Sequence, residues 1–156
     1  MKMAIAVALG LAMATPAWAE PGWYADNGPL GTYAESNEDI ALEVWCGMPE
    51  LSPVEVTYTD YDSDNAKLPD DIYGATLVIA AGAGPQHRYP VVFEEDNDDF
   101  MMSGDNARAV INMALQGEGL TTSIIIRGRR YIPAHFDNTG MDIAQGPLND
   151  CLKAGN

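Results

Sequence analysis

Cys46 and Cys151 are the two cysteines among the 156 residues, and the segment that precedes them determines what they do. The opening run "MKMAIAVALGLAMATPAWA" carries one positive charge at Lys2, an apolar stretch from Met3 to Met13, and then Ala17-Trp18-Ala19. Small residues two apart after an apolar core make the pattern of a secretory signal. This predicts that residues 1–19 are removed and that the mature chain, 20–156, works in the periplasm or the medium. The apolar stretch is well short of the roughly 20 residues a membrane span needs. No cysteine follows the cleavage point to take a lipid, so no membrane insertion is expected after cleavage. In an oxidising compartment an even number of cysteines predicts one intramolecular disulfide. Two buried thiols or a shared metal are the alternatives. A bridge would close a loop of about a hundred residues and constrain the unfolded chain by roughly 4–5 kcal/mol on chain-entropy grounds. Neither cysteine belongs to a CxxC motif, so redox catalysis has no local support.

The roughly 137 residues left after cleavage of the 156 suffice for one domain with its own core. Asp and Glu number 23 against 8 Lys and Arg, a formal charge of -15. Nucleic acid and anionic lipid need a basic face and are poor partners for such a chain. The acidity favours solubility, a basic protein partner, or life in salty water. The run Arg127-Gly128-Arg129-Arg130 is the one basic cluster, and at the end of a strand-like segment it reads as a solvated turn.

Short β-branched or aromatic runs bounded by turn residues dominate the pattern: "DIALEVWC" (39–46), "VEVTYTDY" (54–61), "ATLVIAA" (75–81), "RYPVVFEE" (88–95) and "TTSIIIRG" (121–128). Val54, Val56 and Tyr58 alternate with Glu55, Thr57 and Thr59, the period of a half-buried strand. "AGAGPQH" predicts a hairpin connection with Gly82 and Gly84 at positive φ. "EPGWYADNGPLGTY", rich in Gly and Pro, reads as an irregular lead-in. Two stretches change to helical period. Ala107, Val110, Ile111 and Ala114 share one face, with Asp105 or Asn106 as cap and Gly117 as terminator. Met141, Ala144, Leu148, Cys151 and Leu152 share another, capped by Thr139 and interrupted by Pro147, which predicts a kink or a restart. This second helix would carry Cys151 back to the strand that holds Cys46. The fold class expected is α+β, mainly antiparallel β sheet or sandwich, with two short helices in the C-terminal half.

The run "GLTTSIIIRGRRYIPAHFDNTGMDIAQGPLNDC" (119–151) resembles the closing module of small exported proteobacterial domains. Its features are a strand, a further strand ending in Phe136, a Gly-capped helix and a last cysteine, with a loose F-D-x-x-G-M motif over Phe136 to Met141. In layout it is similar to proteins of the invasion-associated locus B kind and to periplasmic accessory proteins associated with type VI secretion. The resemblance implies an accessory or binding role with no catalytic residues to carry over.

Chemical signatures are sparse. His87 and His135 are the two histidines, far apart and each beside aromatic residues, which reads as packing or surface placement. GxSxG and SxxK nucleophile patterns are absent. "GAG" at 82–84 lacks the third glycine of a dinucleotide loop. Met101, Met102, Met113 and Met141 lack the spacing of a copper site and read as core filling. Glu94, Glu95, Asp96, Asp98 and Asp99 put five acids in six residues, the pattern of a solvated loop, although paired carboxylates could serve glycoside hydrolysis.

The stretch "TDYDSDNAKLPDD" (59–71) places Asp60, Asp62, Asp64 and Asp71 at positions 1, 3, 5 and 12 of a calcium loop. Asn65 stands where glycine is usual, position 12 is the shorter Asp71, and strand-like flanks replace the helices of an EF-hand. A splayed, solvated connection is the expectation, with a calcium-stapled loop as the alternative. No cofactor is expected. The function expected is that of a non-enzymatic exported accessory or binding domain acting through its surface. An acidic inhibitor of a cationic cell-wall hydrolase such as lysozyme is the first rival, and an enzyme with a carboxylate site the second.

Overall fold

A computed structural model of the protein describes residues 22–25, 30–36, 39–46, 54–61, 68–97 and 99–153, with 30–35 as backbone. The expected leader, Asp62 and Asp64 lie outside the described residues. In chain order the elements are β1 (Gly22–Ala25), β2 (Leu30–Glu35), β3 (Ile40–Cys46), β4 (Val54–Asp60), β5 (Thr76–Ala81), β6 (His87–Pro90), β7 (Val92–Glu94), β8 (Asp99–Ser103), α1 (Gly104–Ala114), β9 (Leu120–Ile126), β10 (Arg129–Phe136) and α2 (Met141–Lys153). One sheet has the order β1-β2-β3-β4-β8-β7 and the other β10-β9-β5-β6, and the pairings are antiparallel. This is the α+β, mainly antiparallel architecture expected.

Alternation decides which way each strand faces. Leu42 and Val44 of β3, Val54, Val56 and Tyr58 of β4, and Phe100 and Met102 of β8 are buried in one apolar cluster with Leu77 and Ile79 of β5 and Leu120, Ile124 and Ile126 of β9. Two inner sheet faces therefore meet over a common core. Helix α1 links β8 to β9 and touches strands of both sheets, and α2 lies against β1, β2 and β3.

A buried polar junction crosses this core. The Tyr58 hydroxyl donates to the Ile132 carbonyl at 2.8 Å and lies 2.9 Å from Thr122 Oγ1. The carbonyl has no proton to give, so Tyr58 donates to it, and the one Thr122 hydroxyl proton is shared between Tyr58 and the more distant Ala134 carbonyl at 3.4 Å. Ile132 sits in a β-bulge where the register of β10 on β9 shifts between Tyr131 and Ala134. Its φ is 47°, an outlying conformation for a β-branched residue that costs on the order of 1–3 kcal/mol. The bulge turns the carbonyl toward Tyr58.

Several local expectations are revised. The Gly- and Pro-rich lead-in contains the hairpin partners β1 and β2, because they pair with each other and β2 continues onto β3. "RYPVVFEE" is two strands in different sheets: Pro90 has no N–H for the ladder, and Val91 turns inward with its N–H on Ala75 O at 3.0 Å. Part of the acidic 94–99 run belongs to β7 and β8. Gly82 has positive φ but Gly84 does not; at Gly84 a Cβ would meet the Ala81 carbonyl at 2.8 Å. Helix α1 starts straight from β8 with Ser103 as N-cap and no side-chain cap bond. In α2 the capping position is Gly140, whose carbonyl receives Ala144 N at 3.1 Å, while the Thr139 carbonyl instead receives Trp23 N at 2.7 Å. Gly140 has φ 76° and its Cα packs on the Trp23 backbone so closely that a Cβ would collide with it. Helix α2 runs through Pro147 without a restart; the carbonyl that proline leaves unpaired belongs to the turn of exposed Ile143, which water can reach.

Cys46, the last residue of β3, is bonded to Cys151 of α2 across a sequence separation of 105, with Cα atoms 5.4 Å apart. The bond fastens the C-terminal helix to the six-stranded sheet, as the helical face of Cys151 implied. Arg108 of α1 donates to the Leu152 carbonyl at 2.5 Å, adding a cation at the C-terminal end of α2.

Two outcomes follow from this packing. The unreduced protein should resist thiol alkylation and weigh about two daltons less than the reduced form, and Cys151→Ser should lower stability by up to about 4–5 kcal/mol in denaturant unfolding. Tyr58→Phe, which strands the Ile132 carbonyl in the core and leaves the Thr122 hydroxyl only its longer contact with the Ala134 carbonyl at 3.4 Å, should cost about 1–3 kcal/mol by the same measurement. A Tyr58→Phe protein as stable as the parent would mean that the junction contributes nothing.

Candidate functional site

The outward face of the six-stranded sheet follows from the same alternation that builds the core. Residues opposite the inward set are Glu43 and Trp45 on β3, Glu55, Thr57 and Thr59 on β4, and Asp99, Met101 and Ser103 on β8. Registers Glu43↔Thr57, Trp45↔Glu55 and Thr59↔Asp99 bring them side by side. β7 adds Glu94 beside Asp99. The strands of this sheet contain no Lys or Arg, so every charge they present is negative.

Glu43, Trp45, Thr59, Asp60, Tyr61, Asn97 and Asp99 line an open cleft of about 510 Å³ on this face. Its carboxylates are oriented by hydroxyls. Tyr61 donates to Glu43 Oε1 at 2.6 Å, Thr57 donates to Glu43 Oε2 at 3.3 Å, and Trp45 Nε1 donates to Thr57 Oγ1 at 3.4 Å. Thr59 donates to Asp99 Oδ1 at 2.6 Å. Tyr61 is 60% exposed, so an aromatic surface stands beside fixed negative charge. Burial holds the Glu55 carboxyl above its ordinary range, and the Glu94 charge pushes it the same way. Oriented carboxylates beside tyrosine and tryptophan suit a lysine or arginine side chain, which gains charge-assisted hydrogen bonds and cation–π contact together.

The four acids of the calcium pattern are distributed differently. Asp60 ends β4 and lines the cleft, whereas Asp62 and Asp64 lie outside the described residues. Asp71 is exposed and pairs with Arg127 at 3.2 Å, a contact it would have to release to join an ion shell. Of the 94–99 run, Asp99 enters the cleft, and Glu94 receives Asn97 Nδ2 at 3.0 Å. His87 and His135 occupy the two edge strands of the four-stranded sheet, β6 and β10, with β5 and β9 between them; three inter-strand steps put them about 14 Å apart. Met102 and Met113 are core residues, while Met101 faces outward on β8.

Glu43, Trp45 and Tyr61 were not singled out as site residues from the sequence. The outward parity of Glu43 and Trp45 on β3, and of Tyr61 just after β4, could be read there, but the register that sets Tyr61 on Glu43 could not.

A raised carboxyl pKa in the folded state favours folding at low pH and opposes it once the group must ionise. Glu55→Gln should therefore stabilise the protein at neutral pH, and the gain should vanish as the pH falls below the ordinary glutamate range. Thermal unfolding of both forms across pH 3 to 7 checks this; a gain independent of pH would remove burial of the charge as its cause.

Comparison of the chain with protein-family profiles, curated proteins and solved structures finds no match.

Proposed function

We propose that the protein is a non-enzymatic exported binding domain that grips a basic protein partner through the acidic, aromatic-walled cleft on its six-stranded sheet. The observation that carries this reading is the charge of that face: Glu43, Glu55, Glu94 and Asp99 project from strands without a single lysine or arginine. Such a surface attracts a cationic partner over a distance and then presents pre-oriented acceptors at short range. The leader-like N-terminus and the Cys46–Cys151 bond support a location in the periplasm or outside the cell, where the bond persists. The likeness of residues 119–151 to exported accessory domains agrees with a binding role. A narrower form of the same reading is an inhibitor of a cationic cell-wall hydrolase such as lysozyme, since an acidic cleft rim complements a basic catalytic groove.

The test uses lysozyme as the basic probe. Binding should be measured by surface plasmon resonance from low salt to about 1 M, where the screening length falls to about 3 Å. Association should slow steeply with salt, and Glu43→Gln should weaken binding roughly tenfold through loss of a close charge pair. Salt-independent binding, or unchanged affinity in Glu43→Gln, would remove the cleft from the interaction. Turbidity loss of a cell-wall suspension in the presence of the bound complex then separates inhibition from binding alone.

A further inference from the structure

The outward face of the four-stranded sheet has the opposite character. Adjacent rows across β6, β5, β9 and β10 follow from the registers Val78↔Arg88, Val78↔Ser123, Ala80↔Thr121, Thr121↔His135 and Ile125↔Arg130. Val78, Ala80, Thr121, Ser123 and Arg130, with the Gly82–Gly84 turn and Gln86, line a groove of about 200 Å³. Small side chains line it together with Arg130, an exposed residue that brings a guanidinium within side-chain reach of the groove. Arg88 is the next residue in the Val78 and Ser123 row. Neither arginine forms an ion pair with a described residue.

Ser123 distinguishes this groove from a basic patch. It stands opposite the bulge, where Ile132 and Pro133 of β10 face one residue of β9. The residue is only 2% exposed, yet its hydroxyl forms no hydrogen bond with any described residue and borders the groove. With no partner among the described residues and not sealed from solvent, this hydroxyl is available to water or to a ligand oxygen seated in the groove. The neighbouring Thr121 hydroxyl lies 3.5 Å from His135 Nδ1 and offers a second polar contact.

We infer that this groove is a binding site for the oxyanion group of a small molecule, a carboxylate or a phosphate, held by the Arg130 fork and the Ser123 and Thr121 hydroxyls. Arginine's planar donors match two oxygens of either group. The volume accommodates such a head group and a few attached atoms. The site is on the sheet opposite the acidic cleft and does not depend on it. In a chain with 23 acids and 8 bases, diffuse attraction cannot gather anions, so saturable binding here would report local geometry.

The probes are sodium phosphate and sodium acetate, each titrated into the 15N-labelled protein against sodium chloride at equal ionic strength. Amide signals of Ser123 and its neighbours, and the Arg130 side-chain signal, should shift saturably with phosphate, acetate or both, at a Kd on the order of millimolar. Response to one alone assigns the tetrahedral or the planar group. Arg130→Gln should weaken binding roughly tenfold or more, and Arg130→Lys, which keeps the charge and loses the fork, should fall between. Ser123→Ala should weaken binding several-fold while leaving the remaining spectrum in place. Identical shifts with chloride, shifts that do not saturate, or equal affinity in Arg130→Gln and Arg130→Lys relative to the parent would each overturn the site. Should Arg130→Gln fail to fold, the lysine variant alone decides.

Discussion

The Tyr58 hydroxyl joins the two sheets at a polar point within a mainly apolar core, and the rest of the arrangement is organised around it. Apolar faces alone bring two sheets together without fixing their alignment, since leucine and isoleucine pack acceptably in several registers. A hydroxyl that must meet both the Ile132 carbonyl and Thr122 accepts one alignment, because any other leaves buried groups unpaired. The strained backbone at Ile132 is held by that requirement. One bulge thereby has two effects on opposite faces of the same sheet. It turns a carbonyl inward to Tyr58, and on the outside it sets two residues of β10 opposite Ser123 at the edge of the groove.

Periodicity made β3, β4, β5 and β9 legible in the sequence, because Val, Ile and Leu alternate there with polar residues or run unbroken through a buried strand. Both helices were legible from their apolar faces, and the face that contains Cys151 correctly implied its meeting with Cys46. The signal failed where composition opposed structure. β1 and β2 lie among Gly and Pro, and depend on Trp23 hooking onto Thr139 and on β3 as a template, neither of which is local. β8 begins in a run of acids, and its inward residues, Phe100 and Met102, are separated by one residue that reads as more of the same. Pro90 was visible, but that it ends one sheet and begins the other was not.

The candidate site was less legible than the fold. Aspartates at calcium-loop spacing drew attention to 60–71, and of these Asp60 lines the cleft while Asp71 is engaged by Arg127. The cleft instead takes its character from Glu43, Trp45 and Tyr61, residues that a strand pattern explains on its own and that acquire meaning through cross-strand register. The same holds for charge. The net value of -15 describes an acidic protein, yet Arg88, Arg127, Arg129 and Arg130 all belong to the four-stranded sheet or its β9–β10 turn, and none of the described basic residues lies on the six-stranded one. The molecule is electrically two-sided, and an approaching ion meets a different field depending on the side it approaches.

The bond between Cys46 and Cys151 makes most of the chain a closed covalent circuit. β4 through β10, α1 and nearly all of α2 lie on it, and β1, β2 and β3 form a tail attached at Cys46. A single peptide cut anywhere between those cysteines converts the circuit into a branched chain but releases no piece. The two new ends remain tethered through sulfur, and the severed strands can close back onto their neighbours at a high effective concentration. In surroundings that contain proteases and lack chaperones driven by ATP, one nick is therefore an injury the fold can survive, whereas a cut in the tail before Cys46 detaches everything upstream of it from the covalent frame.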